Sequence, residues 1–158
     1  MALEDPLVVR QKVRQIVQDI PNGHATRDAI ELFFRRWGQT FGRKQLELTQ
    51  FSAADAIESD GTLLTDSPSA VHVLVIYRAD GNTRSFLHLY NDDTSPYDTT
   101  GAYVIVAIRE ANTSGHVAFP AGLDFGNGVS VAAMTSSGGS TNSDADDAPS
   151  GFVISSNL

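Results

Sequence analysis

Apolar residues in the first part of the chain recur with a period near 3.6. Val9, Val13, Ile16, Val17 and Ile20 fall on one helical face. Asp5-Pro6 is a good start for that helix: the aspartate can accept from a free amide, and proline lacks an N–H that the first turn would leave unpaired. Pro21-Asn22-Gly23 ends it. A second stripe, Ile30, Phe33, Phe34 and Trp37, has the i, i+3, i+4, i+7 spacing of another helix, starting near Thr26. Asp28 then lies in the first turn, where negative charge suits the helix dipole, and Gly38 is placed to stop the helix. From about Leu46 the period shortens to two. Leu46 and Leu48 alternate with polar residues. AVHVLVIY (70–77), RSFLHLYN (84–91), AYVIVAIR (102–109), VAF (117–119), VSVAAM (129–134) and GFVIS (151–155) read as strands.

Turn signals separate these strands: Ala79-Asp80-Gly81-Asn82, Asn91-Asp92-Asp93 before Ser95-Pro96, Asn112-Thr113-Ser114-Gly115, and Gly126-Asn127-Gly128. Short strands without intervening helical patterns predict a mainly β protein, an antiparallel β-sandwich of jelly-roll-like type with an N-terminal two-helix segment. The change of period divides the chain into a helical anchor segment, 1–45, and a sandwich, 46–158. If the first strands form a hairpin about Gly81-Asn82, His72 and His88 share a face, a weak hint of metal or acid–base chemistry. Histidines satisfied inside the sandwich are the plainer expectation.

Charge sharpens the division. The 158 residues carry a net charge of −8, but residues 1–50 hold 8 Lys/Arg against 6 Asp/Glu, whereas 51–158 hold 3 against 13. The acidic body repels nucleic acid. The basic part gathers Arg35, Arg36, Arg43 and Lys44 beside the apolar stripe of the second helix. The candidate partner interface is therefore Ile30, Phe33, Phe34, Arg35, Arg36, Trp37, Arg43 and Lys44, aromatics and arginines being the residue types that anchor interfaces. The same stripe would equally serve an internal core. No apolar run is long enough for a membrane span, no signal peptide is evident, and the absence of cysteine excludes disulfides and thiolate chemistry and fits a reducing cytoplasm.

Candidate chemistry adds little. GLDFGNG (122–128) is rich in glycine but leads into the alternating VSVAAM rather than a helix, so it lacks the amide cradle of a phosphate loop. It reads as tight turns joining strand pieces near Phe119 and Val129, with Gly122, Gly126 and Gly128 supplying positive φ or a bulge. NSDADDAP (142–149) clusters Asp144, Asp146 and Asp147, which are oxygen ligands suited to Ca²⁺. Counting from Asp144, however, the EF-hand glycine and glutamate positions hold Pro149 and Ser155. An acidic loop tip is the ordinary reading. Neither Gly-x-Ser-x-Gly nor His-Glu-x-x-His occurs. The expectation is no catalytic, cofactor or metal residue.

Over 54–158 the order of features resembles a family of small β-sandwich virion proteins of tailed bacteriophages. The segments that carry the resemblance are SDGTLLTDSP ahead of a strand, SFLHLYND, GHVAFPAGLDFGNGVSVAAM, a loop with Ser143-Asp144-Ala145-Asp146, and the closing GFVISSNL. The long SSGGSTNSDADDAPSG loop and the helical first 45 residues depart from that pattern. The resemblance implies a non-enzymatic structural protein assembled in a host cytoplasm onto a virion. The foremost role is capsid decoration (cement), and the next is a tail, neck or fibre-attachment component. The implied partners are a major capsid protein or another virion protein and further copies of the chain, with no nucleic acid and no membrane. A carbohydrate-binding sandwich is the reading of a different class, with Tyr90 and Tyr97 as its aromatics.

Overall fold

A computed structural model describes residues 3–52, 62–79, 85–91, 102–108, 114–134 and 149–158. The chain begins with α1 (Pro6–Ile16) and α2 (Ala25–Phe41). Eight strands follow among the described residues: β1 (Glu47–Phe51), β2 (Thr62–Thr65), β3 (Ser69–Ala79), β4 (Ser85–Tyr90), β5 (Ala102–Ile108), β6 (Gly115–Phe125), β7 (Val129–Met134) and β8 (Pro149–Asn157). They form two four-stranded antiparallel sheets, ordered β1-β8-β3-β6 and β2-β7-β4-β5. The fold is mainly β and a sandwich, as the alternating pattern predicts.

The helices add a third layer. Val9, Val13, Val17, Ile20, Ile30, Phe34 and Trp37 pack with Leu46, Val73, Val75, Phe152 and Ile154 on the outer face of the first sheet. The inner face of that sheet contributes Phe51, Val71, Leu74, Ile76, Phe125 and Val153 to the core shared with the second sheet, where they meet Leu87, Leu89, Val129 and Val131. The first sheet is thus covered on both faces. This explains why β3 is a nearly continuous apolar run and why β8 sets three apolar residues, Phe152 to Ile154, side by side rather than alternating. It also buries most of the stripe, Ile30, Phe34 and Trp37, in the helical layer.

Local chemistry sets the helices. Asp5 accepts from the Leu7 amide at 2.9 Å with Pro6 at the first helical position. His24 caps α2 through Nδ1, which accepts from the Thr26 amide at 3.1 Å. Glu31 of α2 takes both Arg10 and Arg14 of α1, at 3.1 Å from Arg10 Nε and 2.8 Å from Arg14 Nε. These bonds, foremost that from Arg14, hold the Glu31 carboxyl down at about 2. Gly38 does not stop the helix. α2 runs one turn further, and the stop is Gly42 at φ +60, the left-handed conformation that glycine adopts without steric cost.

Two expectations about neighbours are corrected. β3 and β4 do not form a hairpin about Gly81-Asn82: β3 is flanked by β8 and β6, while β4 lies in the other sheet between β7 and β5. A strand apolar on both faces belongs in the doubly covered sheet, so the chain crosses over instead of turning back. His72 and His88 therefore occupy different sheets. Nor is β6 a short piece around Phe119. It continues to Phe125, and the chain then passes to β7 in the second sheet. Gly122 and Gly128 take positive φ, +79 and +110, whereas Gly126 does not. Asp80, Gly81, Asn82, Asp92, Asp93, Tyr97, Asn112, Thr113, Asp144, Asp146 and Asp147 lie outside the described residues.

Candidate functional site

An irregularity in the first sheet shapes a cleft beside α2. Between Val71 and Val73 the register slips on both sides of β3. On β8 the partners are consecutive, Ser155 and Ile154; on β6 they jump from Leu123 to Ala118. His72 is thus an extra residue relative to β8, and Phe119, Pro120, Ala121 and Gly122 bulge out opposite it. The bulge turns both His72 and Val73 toward α2. Between that helix and β6 a cleft of about 440 Å³ remains, its wall formed by Leu32, Phe33, Trp37 and Phe41 and its far side by His116, Ala118, Phe119 and Pro120.

Aromatic packing builds the helical wall. Phe33, Trp37 and Phe41 succeed one another at helical spacing, with ring centroids 5.8 Å apart for Phe33–Trp37 and 4.4 Å for Trp37–Phe41. The Trp37 indole N–H donates to the Lys44 carbonyl at 2.9 Å, which ties the chain after Gly42 back onto the helix. That turn carries Lys44 Nζ to 5.4 Å from the Phe41 centroid and 6.0 Å from the Trp37 centroid, within cation–π range. Trp37 is buried, but Phe41 is 47% exposed and Leu32 also stands open to solvent. The lip of the cleft is therefore apolar and uncovered.

His72 forms part of the floor. Its ring stacks on Phe33, meets Trp37 edge to face at 4.8 Å, and places Nε2 2.9 Å from Ser156 Oγ. Burial pushes its imidazole down to about 4, with the nearby Lys44 charge acting in the same direction and Asp124 against it. At neutral pH the floor is uncharged. His116 turns its Nδ1 to Thr26 Oγ1 of α2 at 3.2 Å, which fixes the distance between strand and helix. Among the described residues no carboxylate lines the cleft, and Arg36 is the charged residue of the lining.

The eight sequence-derived interface residues divide. Phe33, Arg36 and Trp37 line the cleft and Lys44 stands at its rim. Ile30 and Phe34 are core. Arg35 is exposed, and Arg43 lines a separate groove of about 270 Å³ with Pro6, Leu7, Arg10 and Phe34 on the opposite side of α2. Sequence reasoning missed Phe41, although its spacing of four from Trp37 was visible, because the helix was ended at Gly38. It missed His72, His116 and Phe119 as neighbours because nothing local encodes the bulge.

Elsewhere the structure offers less. Glu47, whose carboxyl pKa is raised chiefly by burial, and Asp66 border a small crevice with Leu63–Ser67. Among the described residues no three His, Cys, Asp or Glu side chains gather as metal ligands, and no helix is long and apolar enough to cross a membrane. His88 is fully buried in the second sheet, with Nδ1 3.1 Å from the Tyr90 hydroxyl. Tyr90 is itself buried, so it presents no platform for a sugar ring. Comparison with family models, curated proteins and solved structures returned no match.

Proposed function

We propose that the protein is a non-enzymatic structural component of a tailed-phage virion, a capsid decoration protein that anchors itself through the cleft between α2 and β6. The observation that carries this reading is the uncovered aromatic cleft: Phe33, Trp37 and Phe41 form a rigid wall, Phe41 and Leu32 lie open at the lip, and Arg36 and Lys44 stand beside them. Aromatic and arginine anchors in a preformed concavity are the composition of an interface centre. The strand order gives further support. The pairings β1–β8, β2–β7, β3–β6 and β4–β5, with β8 also beside β3 and β7 also beside β4, are compatible with a jelly-roll-like sandwich, an architecture of viral capsid and lectin domains. Fold alone does not fix function; the virion setting rests on the sequence resemblance.

Decoration acts by mass action. A protein that binds the assembled shell and not its separate subunits stabilises the shell in proportion to the logarithm of its own concentration. Rebinding tests the proposal. Purified protein added to particles stripped of it restores their original content. The Phe41→Asp variant, folded by circular dichroism, fails to rebind, since losing an interface anchor costs more than about 2 kcal/mol. Normal rebinding by that variant removes the cleft from the docking surface. Absence of the chain from purified virions, read by mass spectrometry, removes the virion setting.

A further inference from the structure

The docking reading leaves open what enters the cleft, and the inference here rests on that reading. We infer that the cleft receives an acidic peptide segment of a partner protein, one that inserts a bulky apolar side chain against Trp37 and Phe41 and sets carboxylates beside Arg36 and Lys44. In a chain of net charge −8, the described residues that line the cleft include no Asp or Glu. Its lining cation is Arg36, and Lys44 lies over the rings of the same wall. Among the described residues the ion pairs use Arg10, Lys12 and Arg14 with Glu4 and Glu31, so neither Arg36 nor Lys44 is neutralised by a carboxylate there. Both side chains are exposed. His72 adds no charge at neutral pH.

A cleft of about 440 Å³ falls within the size range of sites that bury a ligand-sized group. Its wall is aromatic, and its floor is an imidazole held neutral by burial and fixed to Ser156. Such a surface takes an aliphatic or aromatic side chain and rejects a charged one. The alternative entry, strand addition along β6, is blunted. β6 is an edge strand, but it carries Pro120, which has no N–H to donate, inside a bulge that breaks the regular ladder. The partner segment therefore docks by its side chains over α2 rather than as a fifth strand.

Trp37 is the sole tryptophan and lines the cleft, so its emission reports occupancy directly. The probes are three capped peptides free of tryptophan: one alternating Glu with Leu about a central Phe, one with Lys in place of each Glu, and one keeping Glu with Ser at every apolar position. The full-length protein should bind the first saturably and bind the lysine peptide at least about tenfold more weakly, with the difference shrinking as salt screens it. The serine peptide should bind weakly at any salt. The double variant Arg36→Glu/Lys44→Glu changes exposed side chains only, so it keeps the native circular dichroism and reverses the order of the first two peptides. Equal binding of all three, an order unchanged by the charge swap, or no saturable change up to about 1 mM, the range of very weak recognition, overturns the inference. The two proposals fail separately. If Phe41→Asp blocks particle rebinding while no peptide binds, docking stands and the acidic partner is wrong. If the peptides behave as stated while Phe41→Asp rebinds normally, the cleft preference stands and the virion docking role is wrong.

Discussion

Lowering the pH from 7 to 4.5 should destabilise the protein through His72, and His72→Gln should remove that share of the acid sensitivity. The ring is only 8% exposed, packed between Phe33, Trp37 and the sheet, and burial, seconded by Lys44, lowers its pKa from the ordinary 6.5 to about 4. The unfolded chain therefore takes up the proton at a higher pH than the folded one. Stability falls as pH drops below about 6.5 and levels off near 4, where the folded ring protonates too. At 1.36 kcal/mol for each pH unit between the two values, the full effect approaches about 3 kcal/mol, and most of it, about 2 kcal/mol, is present by pH 4.5. Glutamine is neutral throughout and can still reach Ser156. Urea unfolding at pH 7 and 4.5, followed by Trp37 emission and far-ultraviolet circular dichroism, measures the loss in both proteins. Carboxylates such as Glu31 titrate alike in the two and cancel in the difference. If wild type and His72→Gln lose the same stability to within about 0.5 kcal/mol, the size of an ordinary surface effect, His72 is not the buried neutral group described here.

Further expectations follow from other parts of the fold. Glu31→Gln should cost about 1 kcal/mol in urea unfolding at pH 7, the upper range for partly exposed pairs; it should also flatten the stability loss between about pH 4.5 and 2, because a carboxyl held near 2 stabilises the fold above its unfolded pKa and loses that contribution as pH falls toward the folded one. Gly128→Val should cost about 1–3 kcal/mol because φ is +110 there, whereas Gly126→Ala, with open space at its Cβ and no positive φ, should stay within about 0.5 kcal/mol; equal costs in thermal melts would refute the conformational assignment. Removing residues 1–45 should uncover Val73, Val75, Phe152 and Ile154, giving strong binding of an apolar dye and a lowered melting temperature; an unchanged melt would show that the sheet does not need its helical cover.

Much of this architecture is local in origin and was legible as such. Asp5-Pro6 and the stripes of Val9 to Ile20 and Ile30 to Trp37 specify helices through capping and a 3.6-residue period, which act within a few residues. Six of the eight strands announce themselves by β-branched and apolar runs between turn residues, and Leu46 with Leu48 marks the start of β1. β2, four residues beside a bulge, carried no such signal. Part of the basic cluster and aromatic stripe, Phe33, Arg36 and Trp37, lies on the helix face that walls the cleft, and Phe41 was hidden only because Gly38 and Gly42 are equally plausible stops until the backbone reveals which one takes positive φ.

What the chain alone could not state is which strands meet. Strand pairing depends on loop closure and on which apolar faces find cover. The run Val71 to Ile76 is compatible with a hairpin partner or with a central strand, and only the helical layer on one side and the second sheet on the other decide for the latter. The site inherits that dependence. His72 and His116 lie 44 positions apart and Phe33 is further still, yet they share a cleft because a bulge opposite His72 turns two consecutive residues to one face. Local periodicity fixes which residues are helical, extended or apolar. The long-range packing of three layers fixes which of them become neighbours, because burying both faces of one sheet lowers the free energy more than any local pairing offers.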